Sequence, residues 1–146
     1  MSVSPQDSVS ALDLECGLLT AAAKGTANGI VVTDARGEIL WANPAFTRIT
    51  GYEFSEIRGQ NPRFLKSGQH DSTFYADMWN CIRSGNVWRG EIRNRRKDGS
   101  LYIEEMTITP ITDVAGGIKS YVAVKQDVSD RRREQELLRQ SEERLK

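Results

Sequence analysis

Few side chains in this sequence are placed to do chemistry, and those that are suit binding better than catalysis. His70 is the single histidine, which rules out any site needing two imidazoles and leaves a Ser-His-Asp arrangement without support. Cys16 and Cys81 stand far apart, so they form neither a disulfide framework nor a four-ligand metal site. No GxxxxGKS/T phosphate loop and no GxGxxG turn after a strand occur. The chain therefore reads as one without catalytic residues of its own. What it does hold is a set of polar groups at positions where alternation predicts burial. Over residues 87–96, Trp88, Gly90, Ile92 and Asn94 share one face, and Arg89, Glu91, Arg93 and Arg95 share the other. The first face is the buried one, and Asn94 is a polar amide on it. An unpaired buried amide costs about 1–3 kcal/mol. Asn94 therefore either bonds a neighbouring backbone near the strand end or offers its donors and acceptor to a ligand with a mixed polar edge.

The facing strand has two registers open to it. A two-residue Asp98-Gly99 loop sets Ile103, Glu105 and Thr107 beside Asn94. A three-residue loop with Gly99 in the left-handed region brings Tyr102, Glu104, Met106 and Ile108 there instead. The second set is the more apolar, and it makes Glu104 the facing residue. An ionised carboxylate accepts hydrogen bonds and donates none, so Glu104 either bonds an N–H of a ligand, pairs with a nearby arginine, or faces solvent. On the last strand Tyr121, Ala123 and Lys125 share a face, and Lys125 either points out or pairs with Glu104. In the loop over residues 58–70, Arg63 offers a planar donor fork that fits a phosphate, with Asn61 beside it; a solvated loop arginine is the plainer reading. Trp79 either fills core or stacks on a ligand. His70 lies in a polar Ser-Gly-Gln-His stretch just before a helix cap, a poor place for a haem ligand.

Positioning these groups requires a sheet, and the remaining pattern supplies one. Residues 10–23 carry Ala11, Leu14, Leu18 and Ala22 at helical spacing, behind a Ser-rich lead-in. Residues 29–34 are β-branched, Asp34-Ala35-Arg36-Gly37 has turn chemistry, and residues 38–42 read as the return strand. Asn43 caps a helix that Pro44 opens and Gly51 ends. Residues 54–57 add a further turn. Asp71 caps a helix to about Ser84, with Gly85 as its stop and an apolar side of Phe74, Tyr75, Met78, Trp79 and Ile82. Strands follow over residues 87–96, 101–111 and 118–128, with turns at Lys97-Asp98-Gly99 and residues 113–117. From Ser129 the chain is charged and helical. Its Arg131-Arg132-Arg133 run is followed by Glu134, Glu136, Glu142 and Glu143, which marks an alternating-charge helix rather than a nucleic-acid patch. Leu138 and Leu145 hint at a short coiled-coil seam. The expected fold is α+β: a five-stranded antiparallel sheet with helices on one face and flanking N- and C-terminal helices.

The 146 residues suit one domain. Lys+Arg and Asp+Glu each number 20, a balance unlike that of a nucleic-acid or anionic-membrane binder. No apolar run approaches the roughly 20 residues of a membrane span. The start of the chain lacks both the positive and the apolar regions of a signal peptide, so the cytoplasm is the expected compartment.

The stretch TDARGEILWANPAFTRITGY, the loop GQNPRFLKSG, the hairpin NRRKDG and the closing Asp127-Val128-Ser129 resemble the landmarks of the PAS family, in the right order and over about two-thirds of the chain. The resemblance implies a PAS domain over residues 26–128, a lead-in and helix over 1–25, and a signalling helix over 129–146. It implies a sensory, signal-transducing module that pairs with a second copy. The N-terminal helix and the C-terminal coil would form the homodimer. The output domain, such as a histidine kinase of a two-component system or a cyclase, would follow. Two flavoprotein subfamilies are similar. The blue-light LOV type has a Cys where Gly59-Gln60-Asn61-Pro62-Arg63-Phe64-Leu65-Lys66 has Pro62, so a flavin–sulfur adduct is excluded. That type also has an Asn at the place of Glu104 and a Gln at the place of Lys125. The redox-sensing FAD type of nitrogen-fixation regulators resembles this chain over more positions. These are Trp79, Trp88, Gly90, Asn94–Asp98, Leu101-Tyr102, Glu105 and Thr107, although it has a Glu where Pro62 stands. The resemblance implies FAD ahead of FMN, with haem disfavoured. The implied contacts are Asn61, Arg63, Trp79, Trp88, Asn94 and Glu104.

Overall fold

The computed structural model describes residues 26–145; the helix expected over residues 10–23 lies outside them. The β-branched run forms β1 (Gly29–Asp34), which turns back into β2 (Ile39–Ala42). Asp34 builds the turn: its Oδ1 accepts from the N–H groups of Arg36 and Glu38 at 2.9 and 3.0 Å. Because Glu38 is spent in that turn, β2 begins one residue later than its pattern suggests.

Asn43 then caps α1 (Pro44–Thr50), accepting from the Phe46 N–H at 3.1 Å. The same oxygen accepts from Ile30 N–H at 2.8 Å, and its amide nitrogen donates to Asn28 at 2.9 Å. One buried side chain thus starts a helix and pins it to the first strand. A one-turn α2 (Phe54–Ile57) and a 3-10 turn (Pro62–Leu65) follow, the latter capped by Asn61. Asp71 caps α3 (Ser72–Arg83) through the Phe74 N–H at 2.9 Å.

β3 (Trp88–Arg95), β4 (Leu101–Thr112) and β5 (Ile118–Asp127) complete an antiparallel sheet of order β2-β1-β5-β4-β3. Arg96 N–H bonds the Ser100 carbonyl at 2.8 Å, and Gly99 has φ 90°. This is the three-residue loop, and it pairs Asn94 with Tyr102 and Ile92 with Glu104. β5 ends at Asp127, one residue early, because Val128 leaves the extended conformation (φ −110°, ψ 12°) as the N-cap of the final helix, although its N–H still bonds the Ile103 carbonyl at 2.9 Å. The chain then bends into α4 (Ser129–Arg144).

The helices α1 to α3 cover one face. Beneath them lie two apolar clusters, one around Val31, Ile39, Phe46 and Leu65, the other around Met78, Ile82, Ile92 and Met106. Ala123 packs against both. Filling one such position with a Leu-, Ile- or Phe-sized side chain stabilises by about 1.5–3 kcal/mol. α4 buries no residue. It starts against the opposite face of the sheet, where Arg131 and Arg132 pair with Glu105 and Glu91.

Candidate functional site

Between the two clusters, under α3 and the 61–66 loop, lies a cavity of about 310 Å³. Its walls are apolar: Val31, Ile92, Met106 and Ile108 from the sheet, Met78, Trp79 and Ile82 from α3. Its polar lining comes from Thr33, Asn61, Tyr75, Asn94 and Lys125, and four exposed cations, Arg36, Arg63, Lys66 and Arg83, also reach it. A second hollow shares Arg36, Asn61 and Arg63 with it and continues over Glu38 and Gln60.

The inner wall is organised by one carboxylate. Glu104 is fully buried and sits behind the lining. Its Oε1 accepts from Asn94 Nδ2 at 2.6 Å and from the Lys125 ammonium at 2.8 Å, and its Oε2 accepts from Tyr102 at 3.4 Å. A carboxylate takes only donors, so Asn94 must turn its nitrogen to Glu104 and present its oxygen elsewhere. Burial, then the Glu104 charge, push the Tyr102 phenol far above its ordinary range, which keeps it a donor.

Contacts run on from there to α4. The Arg96 guanidinium lies 4.5 Å above the Tyr102 ring. Arg96 also donates to the Ile49 carbonyl at 2.9 Å and pairs with Asp127. Asp127 in turn accepts from the Ser129 N–H at 3.0 Å, and the Ser129 hydroxyl accepts from Ile103 N–H at 2.9 Å. The first residue of α4 is therefore bonded to the same strand ends that border the Glu104 cluster.

Trp79 packs edge-on to Tyr121 at 6.0 Å, and its ring abuts Gly37. A Cβ at Gly37 would lie 2.8 Å from that ring, so the β1–β2 turn approaches the cavity wall only as glycine. His70 stacks on Phe74 at 4.1 Å, and its Nε2 accepts from the Arg93 N–H at 2.8 Å. Burial and the Arg93 charge hold its pKa below the usual histidine value. The lone pair a metal would need is thus engaged by the backbone. Among the described residues no cluster of His, Cys, Asp and Glu is placed to hold a metal ion.

A PAS domain profile matches residues 27–130. The chain belongs to the PAS domain family. This PAS domain is 39% identical over 113 residues to a nitrogen fixation regulatory protein of Klebsiella oxytoca, a match covering 77% of the chain and 23% of the relative. It is 30% identical over 98 residues to the aerotaxis receptor of Escherichia coli, covering 67% and 19%. The chain thus spans less than a quarter of either relative. Among solved structures, an RNA-binding light-oxygen-voltage receptor superposes with a TM-score of 0.78 at 33% identity, covering 89% of this chain and 38% of that one.

The PAS fold brings Asn61, Arg63, Trp79 and Asn94 together in the cavity lining, with Glu104 behind Asn94 and Lys125. Trp88 stands apart from them. Its ring folds over Gly90 and meets Phe74 edge-on at 5.9 Å, in the core of the α3 side and outside the lining. Lys125 takes the paired option, and Glu104 bonds a lysine rather than an arginine. Several lining residues escaped the sequence reading, Arg36 and Tyr75 among them. Arg36 belongs to a turn remote in sequence from the 58–70 loop. Tyr75 sits on a helix side that reads simply as apolar.

Proposed function

We propose that this PAS domain is the flavin-binding redox sensor of a larger signalling protein, with FAD ahead of FMN, and that it reports through β5 and Asp127 to α4. The observation that carries this is the pairing of an apolar slot with one polar wall. Val31, Ile92, Met106 and Ile108 offer a flat apolar surface, and Asn94 and Lys125 offer an acceptor and a donor at its inner end. That set fits a planar ring with N–H and carbonyl groups along one edge. The exposed cations Arg36, Arg63, Lys66 and Arg83 suit an anionic tail, and their number favours a dinucleotide's two phosphates. Bound flavin would supply electron transfer. The chain's own residues would hold the ring, exclude water, and feel its charge through the Glu104 cluster. Arg96 and Asp127 would pass that change to the first turn of α4. The names of the relatives, a regulator, an aerotaxis receptor and a light-oxygen-voltage receptor, support a sensory role. A histidine kinase or cyclase attached beyond α4 would be a suitable output domain, and a cytoplasmic setting suits all of this. No helix among the described residues is long and apolar enough to cross a membrane.

One observation favours a second reading, a cofactor-free relay and dimerisation domain: Asn94 and Lys125 already have a protein partner in Glu104. The visible spectrum of the protein purified and then incubated with FAD decides between the two. Retained flavin bands support the sensor, and a blank spectrum supports the relay. Dimerisation would use the N-terminal segment together with Leu137, Leu138 and Leu145, which α4 leaves exposed. Sedimentation of the full chain, and of a form lacking residues 1–24, tests it; a full chain that is monomeric at high micromolar concentration refutes the dimer.

A further inference from the structure

Tyr75 carries the one side-chain polar atom that is both buried and without a hydrogen-bond partner among the described residues, its hydroxyl oxygen. A hydroxyl taken from water and left unpaired costs about 1–3 kcal/mol, so a protein rarely keeps one without use for it. The residue lines the cavity. Its ring is held on several sides: edge-on to Phe74 at 5.3 Å, edge-on to His70 at 6.1 Å, and under the Lys66 ammonium at 4.0 Å from the ring centre. The phenol is therefore presented by a braced helix position and has little freedom to turn away. Burial raises its pKa, so it remains protonated and offers a donor.

We propose that the Tyr75 hydroxyl is a ligand contact of this cavity, donating its hydrogen bond to an acceptor on the bound molecule, a carbonyl oxygen or ring nitrogen. The assignment rests on the flavin reading above and deepens it. With the Asn94 oxygen and the Lys125 ammonium, the polar lining then offers an acceptor and two donors. That arrangement selects a ring bearing acceptors on more than one edge and rejects a purely hydrocarbon ligand of the same size.

Tyr75→Phe keeps the ring and deletes only the hydroxyl. FAD binding to the full chain, followed by titration, is expected to weaken about tenfold in the variant. The flavin's visible bands should shift with the lost hydrogen bond. The ligand-free variant should melt at the same temperature as the parent or above it, because the deleted group has no partner to lose. A purely structural hydroxyl moves the two readouts the other way, lowering the melting temperature and sparing FAD affinity. A parent chain that takes up no FAD overturns the flavin reading and this assignment with it. A parent that binds, with a variant that binds as tightly or melts lower, overturns the assignment alone.

Discussion

The Lys125 ammonium stands 2.8 Å from the Glu104 carboxylate, with 4% and 0% of the two side chains exposed. Neither charge has water to fall back on, so each depends on the other. Removing one partner of a buried pair leaves an uncompensated charge, which costs about 3–5 kcal/mol, whereas replacing both by apolar groups is often near neutral. Lys125→Met and Glu104→Leu are each expected to lower stability in urea by that amount. The double variant should recover much of the loss, short of all of it because Asn94 and Tyr102 then lack their acceptor. Strictly additive losses would show that the pair does not act as a unit.

Asn43 serves two elements at once, bonding Ile30 and Phe46 through one oxygen and Asn28 through its nitrogen. Losing an N-cap costs about 0.5–2 kcal/mol, and an orphaned buried N–H adds about 1–3 kcal/mol. Asn43→Ala is therefore expected to cost about 2–4 kcal/mol by equilibrium denaturation. A loss below 1 kcal/mol would mean that water replaces the amide.

His70 makes the fold acid-sensitive at one edge. Its Nε2 must be unprotonated to accept from Arg93 N–H. Burial and Arg93 lower its pKa below the ordinary 6.5, with Asp71 opposing. A lowered folded pKa means that the unfolded chain takes up its proton first. The bond's contribution is therefore complete above pH 6.5 and is lost as pH falls through the folded value. Protection of the Arg93 amide against hydrogen exchange should drop between pH 7.5 and pH 5. In His70→Phe the amide should be poorly protected at both pH values. Equal pH dependence in parent and variant would remove His70 from the account.

Glu91 and Glu105 face each other directly across β3 and β4, an unfavourable pairing of like charges. Arg132 and Arg131 of α4 each take one of them. These are half-exposed pairs, worth at most about 1 kcal/mol each and screened by salt. With no apolar residue of α4 buried, raising salt toward 1 M should speed amide exchange in residues 129–136 while leaving β4 and β5 protected. Glu91→Gln should blunt that response.

Pro62 has no thiol, and Cys81 forms its contacts with Asn86 and Val87, outside the cavity lining. Blue illumination of the flavin-loaded protein is therefore expected to leave the spectrum unchanged after the lamp is off. A reversible bleach to a single near-ultraviolet band would contradict this.

Local chemistry made most of the fold legible. Asn43-Pro44 and Gly51 bound α1 and Asp71 opens α3, while the turn at Lys97-Asp98-Gly99 leaves two parities open and the more apolar set of Tyr102, Met106 and Ile108 is what puts Glu104 on the buried face. The site was harder to read wherever it depends on strands distant in sequence. Whether Lys125 points out or pairs with Glu104 depends on the β4–β5 register, which sets Lys125 opposite Met106. Trp88 and Asn94 share a strand face, yet α3 covers one and the cavity takes the other, a difference of tertiary packing that alternation cannot express. Tyr75 has the same helical spacing as true core residues, and only the lack of a partner for its oxygen sets it apart.

The place of β5 in the sheet has a consequence for how the protein is made. The hairpins β1–β2 and β3–β4 share no ladder; β5, the last strand synthesised, lies between them and bonds both. Until it emerges from the ribosome, each hairpin is a two-stranded piece with marginal stability in water, and the joining contacts are long-range and slow to form. Tyr121, Ala123 and Lys125 of that strand also complete the cavity wall. No ligand can template the earlier steps, because its binding site does not exist during them. A ligand of this cavity would therefore enter only after β5 has paired with both hairpins.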